Sequence, residues 1–598
     1  MSLKSIKTPL FPYKLTIDSK ITERIFKKQN LKYPINIEVN KEADMRRRHV
    51  KTNSQVLKKL LKSVVKKSKF LKGANLVEFP FSNFRKSVLI QTIKYFYRTK
   101  ALTLFWKNNE ANMISINTQW LKHSKHLKTL KLNSSEANTY SYYHNDKKDK
   151  VNSLMQTHFR TMKRKRLSKF KHLFAAGPNE ETLNLMISNF NSSIRELTLS
   201  WDKDSYNFDL NRALQNYSSF SKMTSLQKLE LLFPANLQLI NSLLSNIPNP
   251  KEISCLGLQI EDKAMQTVKP SVEDITKFTN FLNKCTELEH LNLKFSIWID
   301  IFSDFNILQS AKLKSLELNI QIDEEKHYII LGSFLRKLTN LEKLTILILN
   351  SSWADIFLNG FVTFNNDIAQ LNNLKKLDIW CWLLGSTQSS KVPQIMTILA
   401  NSIRSLKQLE ELDLRNTEID YENELGVFVQ CLKEKSSQLK RLRLEFKDQK
   451  LKEQDLVDFA KTIQKCEKLE ELDLKGLRIE SSECFELFLK ALSVAKKLKV
   501  LNLRNLSIPE TEPINIISML KNVLTRKGFE RILFEANWGS KASERFKDYQ
   551  LIFGEIFKKN HQLKSVSIPV FMFQDVKYAS QLNEFKWKEE NDSVLKIF

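Results

Sequence analysis

Two histidines in one short segment are the first residues of this sequence that suggest chemistry. His123 and His126 are three residues apart, a spacing that places both on one face of a helix, and His144 follows nearby. A zinc site needs several nitrogen, sulfur or carboxylate ligands. No cysteine lies in this part of the chain, and acidic residues are few. We therefore interpret these histidines as surface residues and predict no metal site.

Motifs for catalysis and cofactor binding are also missing from the sequence. The chain has 11 glycines in 598 residues, and none lie close enough together to form a GxGxxG or GxxxxGK phosphate-binding loop. It contains no GxSxG, CxxC or HExxH motif. We predict that the chain has no catalytic residues and no cofactor, and that it is not an enzyme.

The pattern LxxLxL recurs along the chain and organises it. Thirteen copies between residues 194 and 563 are spaced 25 to 35 residues apart. Clear copies begin at Leu226, Leu288, Leu313, Leu409, Leu439, Leu469 and Leu498, and looser copies begin at Ile194, Ile253, Leu341, Leu374, Phe529 and Leu563. Leucines at the fourth and sixth positions have period two, so each copy predicts a short strand with one apolar face.

Helix-period segments separate these predicted strands, for example at 455–466 and 484–495. The alternation resembles the leucine-rich-repeat family, and the period of about 31 residues resembles its ribonuclease-inhibitor-like branch. The resemblance implies an α/β solenoid, with a curved parallel sheet inside and helices outside. The family places Asn or Cys at the ninth position, where this chain has Thr417, Leu477 and Leu506. This departure leaves the geometry of the turn open.

The repeats define the predicted domains. Earlier copies begin at Ala74, Thr99 and Leu127, so we expect a leucine-rich-repeat solenoid over residues 74–568. The longer step from Leu127 to Ile194 predicts a flexible basic insertion at about 133–170. Residues 1–73 are predicted to be a basic N-terminal arm or cap, and residues 569–598 a C-terminal cap.

Charges alternate in sign at the second position of successive copies. The series, which we interpret as a structural charge ladder, is Lys375, Glu410, Lys440, Glu470, Lys499 and Glu530. One interpretation is that cross-strand ion pairs fix the register and keep the sheet soluble, each contributing about 0–1 kcal/mol. The other is that this face binds a partner. We favour the structural interpretation, because charges that satisfy one another steer a uniformly charged ligand poorly.

Tryptophans form a second set of candidates. Several fall 6 to 12 residues after the start of a copy, at the end of a predicted strand or in the loop that follows, and we consider them candidate protein-interaction residues: Trp201, Trp298, Trp353, Trp380 and Trp382. They could instead fill the core below these loops, which is the interpretation that we favour. Trp380, at the seventh position, is the one we expect to be exposed.

The positive charge is concentrated in the first third of the chain. Residues 1–175 contain 40 Lys and Arg against 10 Asp and Glu, whereas the remainder contains 55 against 56. Three runs provide candidate residues for binding an acidic partner: Arg46, Arg47, Arg48; Lys58, Lys59, Lys62, Lys66, Lys67; and Lys163, Arg164, Lys165, Arg166. An acidic protein surface, RNA, DNA and anionic lipid all suit such runs, and the alternative is a solvated, lysine-rich surface without a partner.

The sequence predicts an intracellular protein, either cytoplasmic or nuclear. No apolar run approaches the roughly 18–20 residues of a membrane span, so we predict no transmembrane segment. The first residues lack the apolar core of a secretion signal. All six cysteines lie between Cys255 and Cys484, inside the repeats, and we interpret them as small buried residues in a reducing compartment.

Three functions remain open. The first is a non-catalytic scaffold or adaptor, which binds a protein partner through the repeats while its basic third docks on an acidic partner. The second is a subunit that binds RNA or DNA through residues 1–175. The third is a substrate receptor of a ubiquitin ligase, a role in which similar repeats occur. The sequence shows no convincing F-box-like helical domain before residue 74, which makes this role the least favoured.

Overall fold

The chain divides into two compact units, Met1–Leu288 and Glu289–Phe598. The computed structural model describes residues 194–200, 217–232, 237–260, 271–295, 312–322, 324–350, 358–383, 395–415, 421–446, 451–507, 514–526 and 528–537. Outside these ranges it describes the backbone of eight short strands.

Unit 1 is built on parallel strands that pair in chain order. They are β1 (Tyr13–Thr16), β2 (Ile35–Glu38), β3 (Leu76–Pro80), β4 (Ala101–Phe105), β5 (Thr129–Asn133), β6 (His172–Ala176), β7 (Glu196–Ser200), β8 (Lys228–Leu232) and β9 (Cys255–Ile260). The connections described here contain 3-10 helices at Tyr217–Lys222 and Pro250–Glu252 and the helices α1 (Leu237–Leu244) and α2 (Val272–Lys284).

Unit 2 repeats the same plan with longer helices. Its parallel strands, again paired in chain order, are β10 (His290–Phe295), β11 (Ser315–Ile322), β12 (Lys343–Asn350), β13 (Lys376–Leu383), β14 (Glu411–Leu414), β15 (Arg441–Glu445), β16 (Glu471–Lys475), β17 (Val500–Ser507), β18 (Arg531–Asn537), β19 (Ser565–Ile568) and β20 (Val594–Ile597).

One helix lies between each pair of consecutive strands from β11 to β18. These helices are α3 (Glu325–Arg336), α4 (Leu358–Ile368), α5 (Ile395–Ser405), α6 (Tyr421–Lys435), α7 (Glu453–Lys465), α8 (Ser482–Val494) and α9 (Ile514–Leu524). Each helix packs on the next one along the chain. The α/β leucine-rich-repeat fold predicted from the sequence is confirmed.

The core lies between the strand layer and the helix layer. Leu412 pairs in register with Leu442, which pairs in register with Leu472 on the next strand, and all three are at most 1% exposed. From the helix side, Phe459 and Ile463 of α7 are completely buried. Because the fourth and sixth positions of a strand share one face, every repeat contributes its leucines to the same layer.

A residue with left-handed backbone redirects the chain directly after β16 and at a register shift within β17. Gly476 has φ of 72° and Asn505 has φ of 57°, and both occupy the eighth position of their repeats. Gly and Asn tolerate this conformation better than other residues. The chain therefore turns one residue before the ninth position, and Leu477 and Leu506 enter the core with 0% exposure. An apolar ninth residue fits because the eighth residue makes the turn.

A small residue ends each of the helices α2, α7 and α8, which precede β10, β16 and β17 in the chain. Cys285, Cys466 and Ala495 each donate their backbone N–H to the carbonyl three residues earlier, and each accepts from the leucine that begins the next repeat. Cys285, Cys431, Cys466 and Cys484 are buried, as predicted, but Cys255 at the start of β9 is partly exposed. Burial raises the pKa of the Cys285 and Cys466 thiols to about 12.

Several strands lie where the sequence pattern is weak. β6 falls between the copies at Leu127 and Ile194, where the motif positions hold Phe170, Leu173 and Ala175. β1 and β2 lie within residues 1–73, and β20 lies within residues 569–598. The division into an arm, a solenoid and a C-terminal cap stays a prediction. Within the described parts of the chain, no helix combines the length and apolar character that a membrane crossing requires.

Candidate binding face on the strands of unit 2

The strands of unit 2 carry their polar side chains on the face opposite the buried leucines. We call this the polar strand face and define it as the side chains at the second, third, fifth and seventh positions of the repeats that begin between Leu288 and Leu498. Along β15 the alternation is visible in the burial: Leu442 and Leu444 are buried, whereas Arg441, Arg443 and Glu445 are not.

Glutamate and lysine alternate at the second position of this face over a longer stretch than the predicted ladder. The series also includes Glu289, Lys314 and Glu342. Among the described residues, each glutamate lies 2.7–3.1 Å from the lysine of the following repeat in the pairs Glu289–Lys314, Glu342–Lys375, Glu410–Lys440 and Glu470–Lys499. Their side chains are 36–49% exposed, so each pair is a surface interaction of small net energy.

The backbone of the same residues joins neighbouring repeats. The Glu410 carbonyl accepts hydrogen bonds from the N–H groups of Lys440 (2.7 Å) and Arg441 (3.1 Å). The Lys440 carbonyl in turn accepts from Glu470 (2.8 Å) and Glu471 (3.1 Å). Each second-position residue is therefore held by its main chain, and the side-chain ion pairs lie on top of this ladder.

The fifth position carries buried charges that arginines neutralise. Asp413 is 3% exposed and accepts two hydrogen bonds from Arg415, at 2.9 and 2.7 Å, and one from Arg443 at 3.1 Å. Burial alone would raise the pKa of Asp413, but the hydrogen bonds and charge of Arg415, together with Arg443, hold it below its ordinary value. Asp413 is thus a fully paired carboxylate.

The network extends from Asp413 across the next two strands. Arg443 lies 2.8 Å from Glu471, and Arg415 lies 3.5 Å from Asp473. Burial raises the pKa of Asp473, which is 5% exposed. The charges of Asp413, Arg443 and Glu471 therefore satisfy one another, whereas Oδ1 of Asp473 is buried without a hydrogen-bond partner.

Asp378, the equivalent residue on β13, has a different environment. It is 6% exposed, and its Oδ1 atom is buried without a hydrogen-bond partner. Lys376, on the same strand, is 3.7 Å from the other oxygen, beyond hydrogen-bond distance. Burial, and then the charge of the neighbouring Asp413, raise the pKa of Asp378 to about 6. Its carboxylate is the buried anion of this face whose environment least favours ionisation.

Trp380 lies beside Asp378 at the seventh position of the same repeat. Its indole is half-buried, and its buried Nε1 also has no hydrogen-bond partner. This N–H nevertheless acts to lower the pKa of Asp378, against the larger effects of burial and of Asp413, so the two groups are neighbours without forming a well-aligned hydrogen bond. In the register, Trp380 pairs with Leu347 of β12, another half-buried apolar residue on the polar strand face.

The remaining sequence candidates fall outside this site or outside the described residues. Trp382 belongs to β13, and the description covers its backbone only. Trp201, Trp298 and Trp353 lie outside the described residues, as do all the basic candidates between Arg46 and Arg166. Within the described ranges, no group of three or more His, Cys, Asp or Glu side chains is arranged to hold a metal ion.

One feature of the sequence, the apolar residue Leu347, indicates the Asp378 site but does not belong to the LxxLxL pattern. Leu347 is an apolar residue at a seventh position, where the other repeats from β10 to β17 carry polar or charged residues or Trp380. The adjacency of Leu347, Trp380 and Asp378 follows only once the register between β12 and β13 is known.

No family model matches this chain, and no curated protein matches it. Solved structures do match at low identity. The crystal structure of a TLR13–ssRNA13 complex is 16% identical, with 82% of this chain and 65% of that chain covered and a TM-score of 0.30. The chain thus spans about two thirds of the length of that protein.

Two further solved structures show a similar level of likeness. The Rad7–Elc1 complex of yeast is 12% identical, covers 79% of this chain and 84% of that chain, and has a TM-score of 0.30. The leucine-rich-repeat protein LegL7 of Legionella pneumophila is 13% identical, covers 60% and 97%, and has a TM-score of 0.32. The repeat architecture of the present chain is established by the register between its own strands.

We predict that Glu470→Lys destabilises unit 2 by about 1 kcal/mol. The substitution breaks the pair with Lys499 and places lysine at three consecutive second positions, where like charges repel. Urea unfolding of the full chain measures the change. Glu467→Lys, in an exposed turn, changes the net charge equally and serves as the control. Equal stability of both variants and the parent would remove the structural role of the ladder.

We predict that Asp378→Asn stabilises the protein at neutral pH and not at acidic pH. In the folded state the pKa is about 6, above the ordinary value of 3.8, so ionisation of Asp378 opposes folding as the pH rises through 6. Removal of this charge should raise the free energy of unfolding by up to about 2 kcal/mol at pH 7.5, with the gain vanishing near pH 4.

Asp413→Asn provides the matched comparison for this pH series. The pKa of Asp413 is lowered, so its charge stabilises the fold at neutral pH, and the variant also leaves Arg415 and Arg443 without their carboxylate. We expect this variant to be less stable than the parent at pH 7.5. A gain from Asp378→Asn that is the same at pH 4.5 and pH 7.5 would contradict the assignment.

Proposed function

We propose that this leucine-rich-repeat chain is a non-catalytic scaffold or adaptor that binds a protein partner through the polar strand face of unit 2. The observation that carries the proposal is the site around Asp378, Trp380 and Leu347. There, a buried carboxylate oxygen and an indole N–H without hydrogen-bond partners adjoin half-buried apolar side chains. Buried polar atoms without partners cost free energy that a bound partner can recover.

The paired charges on β14 to β16 support a role of that part of the polar strand face in the fold, which leaves the site around Asp378 for a partner. Asp413, Arg443 and Glu471 already satisfy one another, so this part of the face contributes register and solubility. Binding energy in protein interfaces is concentrated in a few residues, among which Trp is enriched. Trp380, at the edge of the paired network, is suited to such a position.

The basic first third of the chain supports a second contact of the proposed scaffold, with an acidic partner. The surplus of Lys and Arg in residues 1–175 suits an acidic surface, which we propose to be that of a protein. The same surplus supports the alternative of binding RNA or DNA through these residues. No observation on the described residues favours a receptor role in a ubiquitin ligase.

Co-precipitation of the full-length chain from cells, followed by mass spectrometry, tests binding through the face. We expect Trp380→Ser to reduce recovery of at least one protein by about tenfold, because truncation of a central aromatic contact removes much of the binding energy. Val427→Ser is the control, since Val427 lies on α6 and is 38% exposed. Identical partner sets from the parent and Trp380→Ser would contradict the proposal.

Salt-dependent binding to a generic single-stranded RNA tests the alternative. If residues 1–175 bind phosphates, the affinity of the full chain should fall about 10³-fold between 50 and 200 mM salt, and replacing the Lys163–Arg166 run by glutamine should reduce the slope. We expect only weak binding at low salt, unchanged by the replacement. A steep slope that depends on this run would favour the nucleic-acid function.

A further inference from the structure

The surroundings of Asp378 restrict what can pair with it. Its charged neighbours on the face are Lys376 on its own strand, Asp413 on β14 and Arg415 directly after β14, and its register partner on β12 is the neutral Thr345. Arg415 donates from Nε and Nη2 to Asp413, and its Nη1 lies 3.5 Å from Asp473. The Oδ1 atom of Asp378 is therefore left as an acceptor that the described side chains do not use.

The apolar side of the site restricts the ligand further. Trp380 and Leu347 are register partners on adjacent strands, and both are half-buried beside this acceptor. A ligand that fits must offer a hydrogen-bond donor with positive charge, attached to an apolar stem. Arginine and lysine side chains have this form: their methylene stems lie along apolar surface, and their cations are attracted to indole faces.

We propose that Asp378, Trp380 and Leu347 together form a receptor for an arginine or lysine side chain presented by a protein partner. The cation pairs with the carboxylate of Asp378, which is 6% exposed, and its stem packs against the indole and Leu347. Arginine fits better than lysine, because its planar group can stack on the indole while it donates to the carboxylate. This inference rests on the proposed function, since it names the chemistry of a partner for the same face.

The charge state of the site agrees with such a ligand. In the free protein, burial raises the pKa of Asp378 to about 6, which reflects a carboxylate with insufficient compensating charge. Asp413, at the same position of the next repeat, has its pKa held low by its arginines. A bound guanidinium would supply to Asp378 the type of partner that Arg415 supplies to Asp413.

The test uses two synthetic hexapeptide pools on the immobilised full-length chain. One pool carries arginine at a fixed central position between randomised residues, and the other carries citrulline, which has nearly the same shape without the charge. Mass spectrometry measures the amount retained at pH 7.5. We expect at least about fivefold more retention of the arginine pool, and a decrease when the pH is lowered to 5, where Asp378 is protonated.

Two variants test whether the arginine peptides are retained by the site at Asp378. Asp378→Asn keeps the shape of the side chain and should abolish the difference between the pools. Glu410→Gln removes a charge from the same face, at a residue paired with Lys440, and should leave the difference unchanged. Equal retention of both pools by the parent, or an undiminished difference with Asp378→Asn, would overturn the inference.

The two proposals can fail separately. If Trp380→Ser loses a cellular partner while Asp378→Asn retains it and the pools behave alike, the face binds protein by other chemistry. The function then stands and the receptor for a basic side chain does not. If Trp380→Ser loses no cellular partner, the proposed function fails whatever the peptides show.

Discussion

The registered pairing of parallel strands from successive repeats is the constraint on which the rest of this structure depends. The carbonyl of each second-position residue accepts two N–H groups from the following repeat, as Glu410 does from Lys440 and Arg441. This fixes how far each strand is shifted along its neighbour. Because side chains alternate between the two faces, a shift of one residue would move the leucines out of the core and the charges into it. Core and polar strand face are thus set by the same backbone bonds.

On the polar strand face, the pKa of a side chain therefore depends on its neighbours and not only on its residue type. Asp378 and Asp413 are the same residue at the same position of adjacent repeats, and both are buried. Their pKa values nevertheless shift in opposite directions. Burial acts to raise both, but for Asp413 the hydrogen bonds and charge of Arg415, together with Arg443, outweigh it, whereas the nearest cation to Asp378 is Lys376 at 3.7 Å. The proposed binding site is the place where a buried fifth-position aspartate has no arginine within hydrogen-bond distance among the described residues.

These relations explain which features the sequence could predict. The leucine pattern predicted the parallel strands and the intervening helices, since period two and helical spacing are local properties. The change in chain direction was not predictable from the ninth position, because left-handed residues make it one residue earlier, Gly476 after β16 and Asn505 within β17. β6 was not predicted because its motif positions hold Phe170 and Ala175, where the pattern requires leucine. The environment of Asp378 depends on three strands at once and required their register.

Disulfide trapping between strand positions tests the register most directly. Neighbouring parallel strands are about 4.8 Å apart, within the range that a disulfide spans, whereas strands two apart are not. The account predicts that Glu411→Cys combined with Arg441→Cys forms a disulfide under mild oxidation of the full-length chain, as detected by peptide mass spectrometry. It predicts that Glu411→Cys combined with Glu471→Cys does not. Efficient bonding in the second variant and none in the first would contradict the repeat register.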